Sequence, residues 1–557
     1  MPYLSTHRKQ SQKLMLREYQ PINWGDFKLG STQKTISVKT TFSVLTMWTG
    51  VKKTVITGGI GLAVLVLGLI LLFCFPLLFS HMVQQNLPLA NGSISYKVWK
   101  DIPIPLYQKV YLFNMTNPEE FLQKASKPRL EEIGPYTYRS WWIKENITWH
   151  HNDTVTYRER KKFVFRPELS VGGEDDLITT INFPMVAAAA WLRNAIPLEK
   201  VAASIVLFLM KEKIFVQKSV WQLVYEGYPN FLTVIAPLIH SGVPKTHGHF
   251  GWLYGKNNTD DGEFTVFTGK GDLNKFGIIE KWNGTHSLKY WTGSCNTIAG
   301  SNGELGPPLA KEQKTVTVFQ TDFCRSWKLN YKKEVNIRGM KCHRFSAKKS
   351  VLANGTDNPE NSCFTTRRHL PSGVMDLSPC RYDSPVALSF PHFYLASPSY
   401  LRAVEGLKPN ASLHEFFLDI HPRSGISTSI SARIQLNAIL EQDKNIRQFS
   451  NITELVLPIL WQEVSGYLTK ELADELLKDL EYPLLYASIS AYCITALGVF
   501  VLLISLTLLL YHWTDKKKHS RQESLLEHDG LNEEEDCPNV LNPSVSPKMN
   551  DHIDGDV

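Results

Sequence analysis

No hydrolase, nucleotide-binding or metalloprotease signature occurs in this sequence. It lacks the G-x-S-x-G turn that exposes a serine nucleophile, the Gly-rich loop ending in Lys-Ser/Thr that cradles phosphates, and the H-E-x-x-H helix that holds a catalytic zinc. Paired C-x2-C motifs are also missing, which removes the common structural zinc sites. His247 and His249, in the run THGHF, have no further ligands beside them and read as strand residues. Neither a cofactor, a metal nor a nucleic-acid partner is expected, and the chemistry implied is binding rather than bond making.

Charge is absent from two long stretches. Val55 to Phe79 and Leu484 to Trp513 contain no Lys, Arg, Asp or Glu. A helix needs about 20 apolar residues to cross a bilayer, and both stretches exceed that length. The patch from Val201 to Met210, closed by Lys200 and Lys211, is too short and reads as a core or surface helix. No small-residue cleavage site follows the first stretch, which therefore reads as an uncleaved signal anchor. The chain thus divides into a tail (1–54), a first span (55–79), a large segment (80–483), a second span (484–513) and a second tail (514–557).

Lys52 and Lys53 precede the first span, and Lys516, Lys517, Lys518 and Arg521 follow the second. Positive flanks mark both termini as cytoplasmic. Sequons are distributed accordingly. Asn91, Asn114, Asn146, Asn152, Asn257, Asn283, Asn354, Asn410 and Asn451 all lie between the spans, and neither tail has one. Residues 80–483 are therefore expected to be an extracytosolic, glycosylated ectodomain. The first tail is basic, with nine Lys and Arg against two Asp and Glu, whereas the ectodomain is only mildly basic. That charge permits anionic ligands without requiring them.

Cysteine is scarce, with eight in 557 residues. Cys74 and Cys493 lie in the spans and Cys537 in the second tail. Cys295, Cys324, Cys342, Cys363 and Cys380 cluster in the second half of the ectodomain, where disulfides are favoured. An odd number leaves one thiol over, and spacing does not choose the pairs. Short β-rich runs such as Thr154–Phe165, Glu263–Thr268, Phe276–Trp282 and Lys314–Phe319, separated by Gly, Asn and Asp, predict an antiparallel sheet or barrel. Pro184–Glu226, rich in Ala, Leu and Lys and interrupted at Pro197, predicts helices. The expected class is α+β.

Seven blocks resemble, in order, the signature segments of the class B scavenger receptors: VYLFNMTNPEEF (Val110–Phe121), IGPYTYR (Ile133–Arg139), GIIEKWNG (Gly277–Gly284), GVMDLSPC (Gly373–Cys380), FPHFYLASP (Phe390–Pro398), LDIHPRSG (Leu418–Gly425) and VLPILW (Val456–Trp461). That family includes fatty acid translocase, the high-density lipoprotein receptor, lysosomal integral membrane protein type 2 and insect sensory neuron membrane proteins. The resemblance implies a β-barrel ectodomain with a helical apex near residues 185–228 and a hydrophobic tunnel toward the bilayer. By the same resemblance, Lys211, Lys213 and Lys218 are the lysines that would catch anionic particles, and Cys324–Cys380 and Cys295–Cys363 are the expected bridges. Thr365 stands where some relatives carry cysteine, and Cys342 has no counterpart, so a third bridge is not expected.

The implied partners are lipids (fatty acids, sterols, carotenoids or phospholipids) and lipoprotein or other anionic particles, with a homo-oligomer left open. The expected location is the plasma membrane, with an endosomal or lysosomal sorting receptor for a protein ligand as the alternative and a two-span ion channel as a remoter one. The Leu525-Leu526 pair resembles a sorting signal, except that Arg521 occupies its usual acidic position.

Overall fold

The computed structural model describes residues 34–124, 126–240, 242–243 and 247–530. Two units result: a small one from the chain up to Leu71 and from Ile489 onward, and a large one, Leu72–Ser488. Cys537 lies outside the described residues.

The small unit is a helix pair. Helices Lys34–Asn86 and Tyr482–Gly530 contain the two charge-free stretches, with mean hydropathies of 3.0 and 2.7. Both extend past the apolar residues, because a helix once nucleated propagates cheaply into polar flanks. Almost none of either apolar stretch is buried in protein, as suits side chains that face lipid. Small residues set the approach of the two backbones. A Cβ on Gly498 would sit 2.5 Å from the Leu65 nitrogen, and one on Gly68 2.7 Å from that of Thr495. Ser505 Oγ donates to the Thr54 carbonyl at 2.8 Å, a polar contact of the kind that holds helices together in lipid.

The large unit is built on a 13-stranded antiparallel sheet. Eleven strands run in the order Thr315–Gln320, Arg325–Ile337, Met340–Ser346, Phe417–Ile420, Ser427–Leu440, Leu455–Tyr467, Leu106–Met115, Leu130–Trp149, Thr154–Phe165, Thr259–Phe267 and Ile279–Trp282. The other two, Val374–Asp376 and Val386–Ser389, attach to the side of Ser427–Leu440. The two ends of this curled sheet are joined through one short segment. Ser301 bridges both Ile278 and Val318, and the Ile279 amide donates to the Gly300 carbonyl at 2.9 Å. Only glycine fits at position 300: its φ is +86°, and a Cβ there would lie 2.0 Å from the Thr317 carbonyl oxygen. The sheet is thereby nearly closed.

Alternation along the strands decides what faces inward. On Thr154–Phe165 the inward row is Val155, Tyr157, Glu159, Lys161, Phe163 and Phe165, so two charges sit between apolar pairs. The neighbouring strand sets Ser140 opposite Phe163, Trp142 opposite Lys161 and Lys144 opposite Glu159.

Residues 184–226 are only partly helical. Phe183–Trp191 and Pro197–Leu209 form the expected helices, with Pro197 at the start of the second and the Glu199 carboxylate accepting from the Ile196 amide. Phe215–Ser219, however, is a strand paired with Leu177–Ile181. Lys211, with φ of +54°, turns the chain back so that Phe215 and Val216 find a partner strand. Tertiary pairing there overrides local helix preference.

Candidate functional site

The cap comprises the helix Phe183–Trp191 and two further helices, the first of which, Pro197–Leu209, is inverted. On Pro197–Leu209 the polar residues Lys200 and Ser204 point inward. Lys200 pairs with Asp443 at 2.8 Å, and Ser204 donates to Gln448 at 2.8 Å. The outer face is apolar: Leu198 is 74% exposed and Leu209 69%, with Val201, Ile205 and Phe208 beside them. The second helix, Phe231–Ile239, adds exposed Val234, Leu238 and Ile239. A surface helix ordinarily turns its apolar stripe to the core. Its outward placement here, across several neighbouring residues, marks a contact surface.

Three cavities of the large unit share lining residues. The cap-side chamber, about 330 Å³, lies beneath Phe183, Ala187 and Trp191 of the helix Phe183–Trp191 and Leu232 and Ala236 of Phe231–Ile239. The span-side chamber, about 220 Å³, is lined by Val98, Trp99 and Ile102, which follow the first long helix in sequence, and by Leu472 and Leu476, which precede the second. Between them is a small chamber of about 70 Å³. It shares Leu253, Lys256, Asp322 and Gln462 with the cap-side chamber and Trp142, Lys161, Asp322 and Val464 with the span-side one.

This middle chamber sets charged side chains among apolar ones. Asp261 is turned inward by a bulge at Asp260-Asp261-Gly262, where Gly262 has φ of +98°. Its two oxygens accept from Lys161 Nζ at 2.6 Å and from Lys256 Nζ at 2.8 Å. Lys256 also lies 3.8 Å from Asp322. The turn carrying Asp322 is held by the Cys324–Cys380 bridge and by Arg381, which donates to the Asp322 carbonyl. Toward the cap, the Tyr225 hydroxyl donates to Gln108 at 2.8 Å and Gln108 donates to Gln462 at 2.5 Å.

Beside the neck lies a deeper network. Lys144, fully buried, contacts Glu159 at 2.8 Å and Glu304 at 2.6 Å. Burial pushes the Glu304 carboxyl up to about 8, against the opposing pull of Lys144 and with the help of Glu159. Glu159 stays ionised: burial works against its charge, but Lys144 and Lys161 outweigh it and hold its carboxyl below the usual range. Asp261 is likewise held well below its ordinary value, its burial outweighed by Lys161 and Lys256. One proton on Glu304 therefore leaves the whole cluster close to charge balance.

Lys211 and Lys213 are exposed in the turn after the inverted helix, whereas Lys218 is half-buried on a strand with its ammonium 4.8 Å from the Tyr228 ring centroid. Lys218 stands on the strand Phe215–Ser219, whereas Lys211 and Lys213 precede it in the turn. Cys295 is bridged to Cys363 and Cys324 to Cys380, while Cys342 is a buried thiol. Seven sequon asparagines are exposed. Asn114 and Asn354 are half-buried, Asn114 accepting from the Thr179 amide. His249 is in a short strand and His247 in a turn, and no metal-binding cluster occurs among the described residues. Leu525 is exposed on the second long helix.

A helix pair long and apolar enough to span a bilayer, carrying a nearly closed β ectodomain with a disulfide-bridged flank, defines a two-span membrane protein. The sequence profile of the CD36 family matches residues 59–509, and the chain belongs to that family. It is 35% identical over 455 residues to scavenger receptor class B member 1 of Bos taurus, covering 80% of this chain and 87% of the relative. Identity to lysosome membrane protein 2 of Homo sapiens is 34% over 453 residues, covering 80% and 92%. The Mus musculus scavenger receptor class B member 1 is 35% identical over 411 residues, covering 73% and 80%.

Proposed function

We propose that this protein is a receptor that takes lipid from lipoprotein or other anionic particles at its cap and passes it through the barrel interior to the bilayer, both termini being cytoplasmic. The reading is carried by the three cavities that share lining residues, from the cap helices to the segments adjoining the two spans. Water is the obstacle such a route removes. At about 0.8 kcal/mol per CH2, taking a ~16-carbon chain through water costs on the order of 12 kcal/mol.

The cap suits a particle coated with phospholipid. Its apolar face meets acyl chains while Lys211 and Lys213 meet phosphates, and Lys218, committed to Tyr228, contributes less. No bond is made or broken on this route, and no cofactor is needed. The same cap would also fit a protein ligand carried to an acidic compartment. Support for that second reading is the protonated Glu304, which favours the fold at low pH. Mass spectrometry of lipids co-purifying with the full-length protein tests the first reading, and steady-state location separates it from the second. Protein that carries no lipid under gentle extraction would count against passage.

A further inference from the structure

The interior route is interrupted. Two largely apolar chambers meet at the small one, where Lys161, Lys256, Asp261, Asp322 and the Gln108–Gln462 pair stand among apolar side chains. A cavity of about 70 Å³ with those polar groups has room for several waters, since one water needs only ~10–15 Å³ and two or more polar partners. Hydrocarbon sliding into it would displace those waters and leave ammonium, carboxylate and amide groups facing CH2, whereas a hydroxyl can replace the hydrogen bonds it breaks.

The four charged walls are not equally fixed. Lys161 stands on the barrel strand Thr154–Phe165 and meets Asp261 at 2.6 Å, with both side chains largely buried. Asp322 is held by the neighbouring disulfide and by Arg381. Lys256 alone of the four lies in a turn rather than a strand or a clamped segment. It follows Gly255, its side chain is 41% exposed, and its second contact, to Asp322, is long at 3.8 Å. Swinging Lys256 aside breaks the tie between the Asp261 wall and the Asp322 wall without touching the sheet.

We propose that this neck is a polarity filter within the passage described above, on which the inference rests: it admits lipids carrying a hydrogen-bonding head in preference to hydrocarbon of the same shape, and Lys256 is the specificity-determining residue. A site that hydrogen-bonds its ligand discriminates strongly against the analogue lacking the group, because its own polar atoms are then left unpaired.

The test uses a matched pair. Emulsion particles carrying isotope-labelled 5α-cholestanol and 5α-cholestane, which differ only in the hydroxyl, are given to cells expressing the full-length protein. Transfer of each is measured per captured particle, above cells lacking the protein and at matched surface amounts. The alcohol is expected to move about tenfold faster or more. Lys256→Met should lower the ratio severalfold, the remaining polar groups keeping part of the preference, and Lys256→Arg should retain it.

A wild-type ratio near one, or a ratio unchanged in Lys256→Met, overturns the filter. Ala432→Trp, which fills the span-side chamber away from the neck, separates the two failures. If it stops transfer of both lipids while capture persists, passage stands and the Lys256 result judges the filter alone. If transfer continues at the wild-type rate, passage falls and the filter with it.

Discussion

Glu304 and Glu159 both contact the Lys144 ammonium, but Glu159 has Lys161 as a second partner, so burial and the neighbouring carboxylate keep the proton on Glu304. Glu304 keeps its proton up to about pH 8, against an ordinary value of 4.5. Between those values the folded protein binds a proton that the unfolded chain has released, so stability is full below the lower value and falls as pH rises through the upper one. The melting temperature of the detergent-solubilised protein is expected to drop between pH 5 and 8, and Glu304→Gln should flatten that slope; parallel profiles would refute the assignment. Lys144→Met leaves Glu159 buried with only the more distant Lys161 ammonium, 3.8 Å away, and should cost about 3–5 kcal/mol, much of it recovered by adding Glu159→Gln, as a double-mutant cycle in denaturant would show. Among the cysteines, Cys324→Ser should cost about 2–5 kcal/mol and trap the protein early in secretion. Cys342→Ala removes only a buried thiol and should be milder, which comparison of surface yields will check.

The helices and strands show why some of this was legible in the sequence and some was not. The two charge-free stretches and the turn-punctuated β runs report directly on long apolar helices and sheet, and the structure has them as helix pair and curled sheet. The neck could not be read in advance. RERKK looks like a solvated strand edge, and only pairing across the sheet shows that Glu159 and Lys161 share the inward row while Lys162 is exposed. Asp261 is inward only because a bulge shifts the alternation by one. The cap helix misleads in the opposite sense. Its apolar run suggests burial, yet the buried positions are Lys200, Ser204 and Leu207, a choice made by Asp443 and Gln448 on a distant loop. Phe208→Asp with Leu209→Asp should therefore leave the melting transition nearly unchanged, within about 0.5 kcal/mol per site. Particle capture, measured on cells at equal surface expression, should fall steeply. Lys211→Gln with Lys213→Gln should weaken capture less, and in a manner that disappears at high salt.

At the scale of the whole molecule, topology makes a direct claim about glycans. Peptide mapping of the mature protein should find the seven exposed sequons occupied and Asn114 and Asn354 modified least, because their amides are turned into the surface. Tags at either terminus should stay hidden on intact cells; surface labelling of either would overturn the two-span arrangement. The strand that begins the barrel, Leu106–Met115, pairs with the strand that ends it, Leu455–Tyr467, and Leu106 sits opposite Gly466. The chain therefore enters and leaves the sheet at the same end of one strand pair. Lateral tension that pulls the two membrane anchors apart would load that pair as a zipper, opening it a rung at a time from Leu106, rather than in shear along its length. That seam is part of the barrel wall, and because Leu106, Val464 and Gly466 line the span-side chamber, such tension would open that chamber first.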